Sequence, residues 1–266
     1  MATGTGVLRP TWSECIVGET EQGERNIMRG VPDGRGSIQG DEPAHGWLYD
    51  PARLPLPHVP EQAPLPEIPS PGGSSSKVGS SDEPLAEVTR VASWHVYREL
   101  EFSACPSRLL LREGCLHRLW DVDASLPDDF NIVVLDGWRP LAFQRELSAY
   151  YGPAASAAGY VAEANRSPLI PPHNTGGAVD VTLQWQGRPL GLGTDYDDFT
   201  LRAHLDYFEG GRHANELYRD LRRLLAHALL SQGFAPFALE WWHYSFGDQN
   251  WASYYGRGTS IYGSVA

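Results

Sequence analysis

The sequence feature that most constrains the fold is a run of proline, glycine and serine at residues 51–82. It reads PARLPLPHVPEQAPLPEIPSPGGSSSKVGSSD, with frequent prolines before glycine and serine take over. Proline lacks an amide donor and fixes its own φ angle, while glycine and serine make ordering entropically costly. Because neither half can sustain a helix or a central strand, we expect a linker or an extended segment along the surface. A proline-rich ligand for another protein is the alternative.

This segment divides the chain into three parts. Residues 1–50 contain Trp12 and Trp47 but no clear periodicity, and we assign them to an N-terminal extension of unknown role. Residues 83–266 carry the strong secondary-structure patterns and are long enough for one catalytic domain. We therefore predict one catalytic domain preceded by an extension and a linker or surface-wrapping segment.

Helical and strand patterns alternate irregularly in the third part. Apolar spacing predicts helices at residues 106–120, after Pro140, and at 215–230, where Gly233 ends the helix. Apolar runs predict strands at residues 132–135, 178–183 and 237–246. Because the elements mix without regular βαβ spacing, the predicted fold class is α+β.

Charge and cysteine content exclude several functions. Lysine and arginine number 21 against 33 acidic residues, a formal charge of −12, so binding to nucleic acid or to an anionic membrane is not expected. No window approaches the ~18 apolar residues of a membrane helix, and MATGTGVLRPTWSEC does not resemble a secretory signal. The three cysteines, Cys15, Cys105 and Cys115, form no CxxC motif or disulfide framework. We therefore predict a cytoplasmic protein.

Ionisable residues occur within apolar runs in two segments. In PPHNTGGAVDVTL, His173 precedes a Gly-Gly turn and Asp180 lies inside a predicted strand. A buried carboxylate must be paired, hydrogen-bonded or bound to a metal, so Asp180 is a candidate ligand, or else ties down the turn. In ALEWWHY, Glu240 and His243 stand three residues apart. Since such residues face opposite sides of a regular strand, a shared site requires a bulge or an irregular turn.

Arg139 completes the set of candidate residues. It follows a predicted strand in VVLDGWRP, where it could serve a site or pair with Asp136 across the turn. Two histidines and one aspartate form a ligand set for a catalytic zinc, which keeps a fourth position open for water. A remaining carboxylate can take a proton from that water, and an arginine can stabilise an oxyanion. This combination is typical of metal-assisted hydrolysis of an amide or ester.

The same segments resemble the D-Ala-D-Ala dipeptidases, the zinc peptidases that include the vancomycin-resistance dipeptidase. Their pattern is SxHxxGxAxD followed by ExWH, with DGYRP upstream of both. Here HNTGGAVD matches the first motif, EWWH the second and DGWRP the third, with Trp138 in place of the usual tyrosine. Three motifs in the right order, within a likeness that spans roughly residues 95 to 255, identify the chain as a divergent member.

The resemblance implies a compact central antiparallel sheet flanked by helices, with a zinc site at the sheet. The proline-rich N-terminal extension lies outside the likeness and is predicted from composition alone. It implies that His173, Asp180 and His243 bind Zn²⁺, although cobalt or iron could occupy the same ligands. Glu240 would then be the general base, and Arg139 would stabilise the tetrahedral intermediate.

Two features bear on the substrate. Pro171 stands where the family has a serine that helps to hold the dipeptide, and proline offers neither a hydroxyl nor an amide proton. We expect this change to alter substrate binding without affecting the metal site. The stretch GLGTDYDDFTLRAH resembles a family loop, and either Asp195 or Asp197 could bind a substrate amine.

The predicted function is hydrolysis of a small dipeptide or amide, D-Ala-D-Ala or a related compound, by a metal-activated water with a glutamate base. One alternative, suggested by Pro171 and the N-terminal extension, is an amide hydrolase that acts on a biosynthetic intermediate. A second alternative is a zinc-binding module that recognises a peptide or cell-wall fragment without cleaving it. Such a module has no need for a base at the position of Glu240, which favours catalysis. These patterns leave the oligomeric state open.

Overall fold

A computed structural model of the protein describes residues 46–69, 76–100, 102–164 and 169–265. Its strands are β1 (Leu85–Glu87), β2 (Ala92–Ser93), β3 (Leu110–Arg112), β4 (Phe130–Asp136), β5 (Ala178–Trp185), β6 (Arg188–Pro189), β7 (Ala235–Phe237) and β8 (Glu240–Ser245). Its α-helices are α1 (Glu113–Ser125), α2 (Leu141–Ala157), α3 (Glu216–Ser231) and α4 (Gln249–Tyr254). The predicted α+β class is confirmed.

The main sheet has the strand order β2-β4-β5-β8-β7, with the short β6 paired to β5. Its pairs are antiparallel except for β2 and β4, which run parallel. A separate antiparallel pair joins β1 to β3. Ile132 and Val134 of β4 and Val181 and Leu183 of β5 share one face of the sheet and are completely buried in the core. The other face of β5 carries the buried polar residues Asp180 and Thr182, so β5 presents an apolar face to the core and a polar face to the site.

The predicted helix at residues 106–120 is wrong at its N-terminal half. Leu110–Arg112 forms β3, and the helix α1 begins only at Glu113. Leucines at positions 109, 110 and 111 suit a strand as well as a helix, and pairing with β1 decides in favour of the strand. Gly114 lies in the first turn of α1, where its amide donates to the carboxylate of Glu83.

The other two predicted helices are present. In α2, Phe143 and Leu147 are buried as expected, whereas Tyr150 is 48% exposed. The helix α3 starts at an Asn215 cap, whose side chain accepts from the Tyr218 amide, and Gly233 follows its end at a φ of 81°. The predicted boundaries of α3 are therefore confirmed to within one residue.

Residues 46–69, which we call the N-terminal strap, lie against the domain. Arg223 and His227 of α3 contact the carbonyl oxygens of Gln62 and Ala63 at 3.1 and 2.8 Å. Leu48, Tyr49 and Val59 of the strap are buried in the main core. The division of the chain at residues 50 and 82 stays a prediction, and the extension before residue 46 lies outside the described residues.

Within the described ranges, no helix has the length and apolar character needed to cross a membrane.

Candidate metal centre

Three side chains converge where β5 and β8 pair. Asp180 of β5 lies directly opposite His243 of β8 in the antiparallel ladder. Directly opposed residues project from the same face of a sheet, so the pairing itself brings these side chains together. His173 reaches them from a short 3-10 helix, Pro172–Thr175, that leads into β5 through Gly176, which has a φ of 73°. All three side chains are buried.

The distances between these side chains suit a metal site. His173 Nε2 is 3.3 Å from Asp180 Oδ1 and 3.2 Å from His243 Nδ1, and the last two atoms are 3.0 Å apart. Ligands bound at ~2.0–2.1 Å in a tetrahedral zinc site are about 3.3 Å from one another. Among the described residues this is the one group of three or more histidine, cysteine or acidic side chains that could hold a metal.

The hydrogen bonds of His173 also favour a cation at this point. His173 Nδ1 lies 2.7 Å from the carbonyl oxygen of Gly137, which can only accept. The proton therefore sits on Nδ1, and the lone pair of Nε2 faces the cluster. The lone pair of His173 Nε2 and the carboxylate oxygen Asp180 Oδ1, 3.3 Å apart, repel each other. A proton on His243 Nδ1 can form a hydrogen bond to only one of these two atoms at a time. A bound cation would satisfy all three atoms, so the residues present fit a metal.

Electrostatics keep Asp180 ionised. Burial alone would raise the pKa of its carboxyl, but His173 and His243 hold that pKa well below the usual value. Burial lowers the pKa of His243, against the opposing effect of Asp180. An ionised carboxylate beside an imidazole that resists protonation is the state that binds a divalent metal.

Glu240 begins β8 and lies beside the cluster. Its Oε2 is 3.9 Å from His243 Nδ1, and its Oε1 is buried without a hydrogen-bond partner among the described residues. The two residues share the site because β8 is irregular: Phe237 pairs with Glu240 while Pro236 pairs with Tyr244. The predicted irregularity of this segment is confirmed. Burial, assisted by the charges of Asp180 and Asp197, raises the pKa of Glu240 well above its usual value.

Arg139 makes the expected pair with Asp136 and also contacts the metal cluster. Its Nε donates to Asp136, and its Nη2 donates to Asp180 Oδ2 at 3.1 Å. Asp136 is completely buried, and Arg139 itself is only 9% exposed. The guanidinium nevertheless lines the cleft that contains His173, Asp180, Glu240 and His243. The pairing with Asp136 therefore orients Arg139 toward the cleft.

The structure separates the two aspartates that could bind an amine. Asp197 lines the cleft, where its Oδ2 accepts from Tyr97 at 2.7 Å and from Tyr151. Burial, opposed by these hydrogen bonds, raises the pKa of Asp197 to about 7. Asp195 points away from the cleft and accepts from the backbone amides of Trp47 and Leu48.

Three tyrosines near the metal cluster were missed by the sequence analysis. Tyr97 and Tyr151 hold Asp197, and the hydroxyl of Tyr196 donates to Asp180 Oδ2 at 2.7 Å. The high tyrosine content is the signal that could have pointed to an aromatic cleft, since 12 tyrosines exceed what a minimal core requires. It could not have identified which tyrosines contribute.

The part of the cleft around Pro171, which we call the apolar wall, is lined mainly by apolar residues, with the uncharged polar side chains of Gln249 and Asn250 beside them. Leu169, Ile170, Pro171 and Phe237 line it, with Tyr254 of α4 nearby. Arg139 is the one lysine or arginine among the described residues that line the cleft, and it is already paired with two carboxylates. This wall therefore offers little, within the described residues, to neutralise a second negative charge.

Comparisons of the sequence with known proteins indicate the family to which this chain belongs. A family model described as D-Ala-D-Ala dipeptidase matches residues 107–260, more than half of the chain. The D-alanyl-D-alanine dipeptidase of Synechocystis sp. is 33% identical over 184 residues, which cover 57% of this chain and 74% of the relative. The D-alanyl-D-alanine dipeptidase of Enterococcus faecium is 26% identical over 142 residues, which cover 47% of this chain and 67% of the relative.

The chain therefore belongs to the D-Ala-D-Ala dipeptidase family, as a divergent member, and the prediction from its three motifs is confirmed. Family membership supports a peptidase that acts on small peptides.

Proposed function

We propose that the protein is a zinc-dependent amide hydrolase that cleaves a small dipeptide or related amide carrying a free amine. The observation that carries this proposal is the convergence of His173, Asp180 and His243 with an unpartnered carboxylate oxygen of Glu240 beside them. His173 Nε2, Asp180 Oδ1 and His243 Nδ1 would hold the metal. When bound, zinc would supply Lewis-acid chemistry that activates water and polarises the scissile carbonyl.

Glu240 would act as the general base. Its carboxylate takes a proton from the attacking water and later passes it to the departing amine. Burial raises the pKa of Glu240, which makes it a better proton acceptor than an exposed glutamate once it is ionised. Arg139 would stabilise the negative charge that develops on the carbonyl oxygen, held in place for that role by Asp136 and Asp180.

Asp197 would bind the substrate amine. It is the aspartate that lines the cleft, and hydroxyl donors fix one of its oxygens. An ionised carboxylate enclosed by aromatic side chains binds an ammonium group more strongly than a carboxylate exposed to water does. The reason is that little water is present inside the cleft to screen the two opposite charges. In this scheme one end of the cleft binds the amine and the metal cluster faces the scissile bond.

The identity of the leaving group distinguishes two forms of the proposal. D-Ala-D-Ala, named in both relatives, carries a C-terminal carboxylate. The apolar wall around Pro171 favours instead an uncharged leaving group, as in an amino-acid amide or a specialised biosynthetic intermediate.

We infer a cytoplasmic location for this activity, since Cys105 and Cys115 are both free thiols.

The experiment is release of D-alanine from D-Ala-D-Ala by zinc-loaded protein, with Glu240→Ala as the control and D-alanine amide as the second substrate. Turnover of either compound that is lost in Glu240→Ala supports the hydrolase, and the ratio of the two rates identifies the preferred leaving group. Equal turnover by both proteins would contradict the role of Glu240. Tight binding of D-Ala-D-Ala without cleavage, in protein shown to contain zinc, would favour the non-catalytic recognition module.

A further inference from the structure

The beginning of the N-terminal strap is bound to the loop that follows β6. The amides of Trp47 and Leu48 donate to Asp195 Oδ2 and Oδ1, each at 3.0 Å. The backbone of Tyr49 then pairs with the same loop, since its amide donates to the Pro189 carbonyl at 2.8 Å and its carbonyl accepts from Gly191 at 2.7 Å. A segment outside the family match, which starts at residue 107, is thus integrated with the domain.

Close approach at Gly46 makes this contact specific. Its φ is +115°, and a Cβ atom there would lie 2.5 Å from Asp195 Oδ2. A side chain at this position would therefore strain the backbone and push the carboxylate away from the two amides. Glycine allows the strap to approach Asp195 closely enough for both hydrogen bonds.

Asp195 adjoins the residue that contacts the metal cluster. The amide of Tyr196 donates to Asp195 Oδ1 at 2.9 Å, so one carboxylate oxygen is shared between the strap and the start of Tyr196. The Tyr196 ring packs against Trp47 with centroids 5.8 Å apart. At its other end, the buried Tyr196 hydroxyl donates to Asp180 Oδ2 at 2.7 Å.

We propose that the strap positions the metal ligand Asp180, with Asp195 and Tyr196 as the positioning residues that connect them. This inference rests on the metal site proposed above. Asp180 Oδ2 accepts from Tyr196 and from Arg139, which leaves Oδ1 directed at His173 and His243. Partners of this kind fix the orientation of a metal-binding carboxylate, and removing one typically weakens metal affinity by about 10- to 100-fold.

The test measures zinc affinity of the full chain by competition with a chromophoric chelator, which requires no substrate. Tyr196→Phe removes the hydroxyl and keeps the ring, so we expect affinity to fall by about 10- to 100-fold. Tyr218→Phe is the matched control, because its hydroxyl donates to Asp50 of the same strap at 2.8 Å but does not contact the cluster. Its zinc affinity should equal that of the wild type.

Asp195→Ala tests the connection to the strap. We expect it to weaken zinc binding, and the double variant with Tyr196→Phe to lose no more than the larger single loss, since both act along one route. If Asp195→Ala fails to fold, the Tyr196→Phe measurement still decides the role of Tyr196. Gly46→Ala then takes the place of Asp195→Ala as the variant that disrupts the contact between the strap and Asp195.

Three results would overturn the inference. Wild-type affinity in Tyr196→Phe would exclude a positioning role for its hydroxyl. Additive losses in the double variant would show that Asp195 acts independently of Tyr196. No zinc binding by the wild type would overturn the metal site itself, which distinguishes failure of the proposed function from failure of this inference.

Discussion

The two sides of the cleft are built in different ways. On the metal side, Asp180 and His243 are opposed in a backbone ladder, and His173 lies on the turn that leads into the same strand. On the amine side, Asp197 lies in a loop at a φ of 58°, and hydroxyls from residues 100 and 46 positions away hold its carboxylate.

Because the two sides are built differently, we expect substitutions on the metal side and on the amine side to have different effects. Backbone pairing places Asp180 opposite His243, and neighbouring side chains only refine the orientation of the ligands, so replacing a group that performs the chemistry, such as Glu240, should remove activity and leave the fold intact. The amine side depends on side-chain hydroxyls, so a substitution there should change binding and its pH dependence. The following predictions test that distinction, beginning with the largest effect.

Glu240→Gln should give the largest loss of activity. Glutamine keeps the shape of the side chain but cannot accept a proton, so kcat should fall by about 10²- to 10⁴-fold while KM and zinc affinity change little. Steady-state kinetics together with zinc content check this. A kcat within a few-fold of the wild type would assign the base to another group.

Arg139 connects the two sides and should matter most for stability. Arg139→Ala removes the cation that is paired with the buried carboxylates of Asp136 and Asp180, so the free energy of unfolding should fall by about 3–5 kcal/mol. Arg108→Ala is the matched control: its pair with Glu87 is exposed, at 68% and 49% of the two side chains, and such pairs contribute at most about 1 kcal/mol. Urea unfolding of metal-free protein compares them, and equal losses would contradict the structural role of Arg139.

Asp197 should make substrate binding depend on pH. Its carboxyl, with a pKa raised to about 7, is neutral below that pH and anionic above it, so kcat/KM for an amine-bearing substrate should rise as pH increases from 5.5 to 7. Asp197→Asn should lower kcat/KM at pH 7.5 by about 10- to 100-fold, as expected for loss of a charged hydrogen bond. An N-acetylated substrate serves as the control, because it should keep any pH dependence due to Glu240 and lose the part due to Asp197. An unchanged pH profile in Asp197→Asn would place the amine elsewhere.

The side chains that converge on the metal side could be singled out from the sequence because they belong to local patterns. His173 and Asp180 share one turn and strand, and Glu240 and His243 share another segment, so short motifs contain them. The need for an irregular β8 also followed from the three-residue spacing of Glu240 and His243. The ladder that joins the two segments is a long-range contact, and only the family resemblance brought them together in advance.

The amine side could not be predicted in the same way. Tyr97, Tyr151 and Tyr196 come from three separate segments, and no periodicity connects a tyrosine hydroxyl to a carboxylate 100 residues away. Whether Asp195 or Asp197 lines the cleft depends on the conformation of the loop backbone. That conformation turns the Asp195 carboxylate toward the strap and the Asp197 carboxylate toward the cleft. Similarly, Leu110 and Leu111 belong to a strand because β1 is available to pair with them.

Pro171→Ser should have the smallest effect and should reveal the preferred leaving group. Serine is well tolerated at the start of the 3-10 helix that carries His173, so the metal cluster should be retained. If the apolar wall excludes a carboxylate, an added hydroxyl should lower KM for D-Ala-D-Ala by about 2- to 10-fold, the value of one net hydrogen bond. D-Alanine amide, which lacks that carboxylate, should show an unchanged KM in the same variant. Equal changes for both substrates would mean that residue 171 does not contact the leaving group, and the apolar wall would then bind some other part of the substrate.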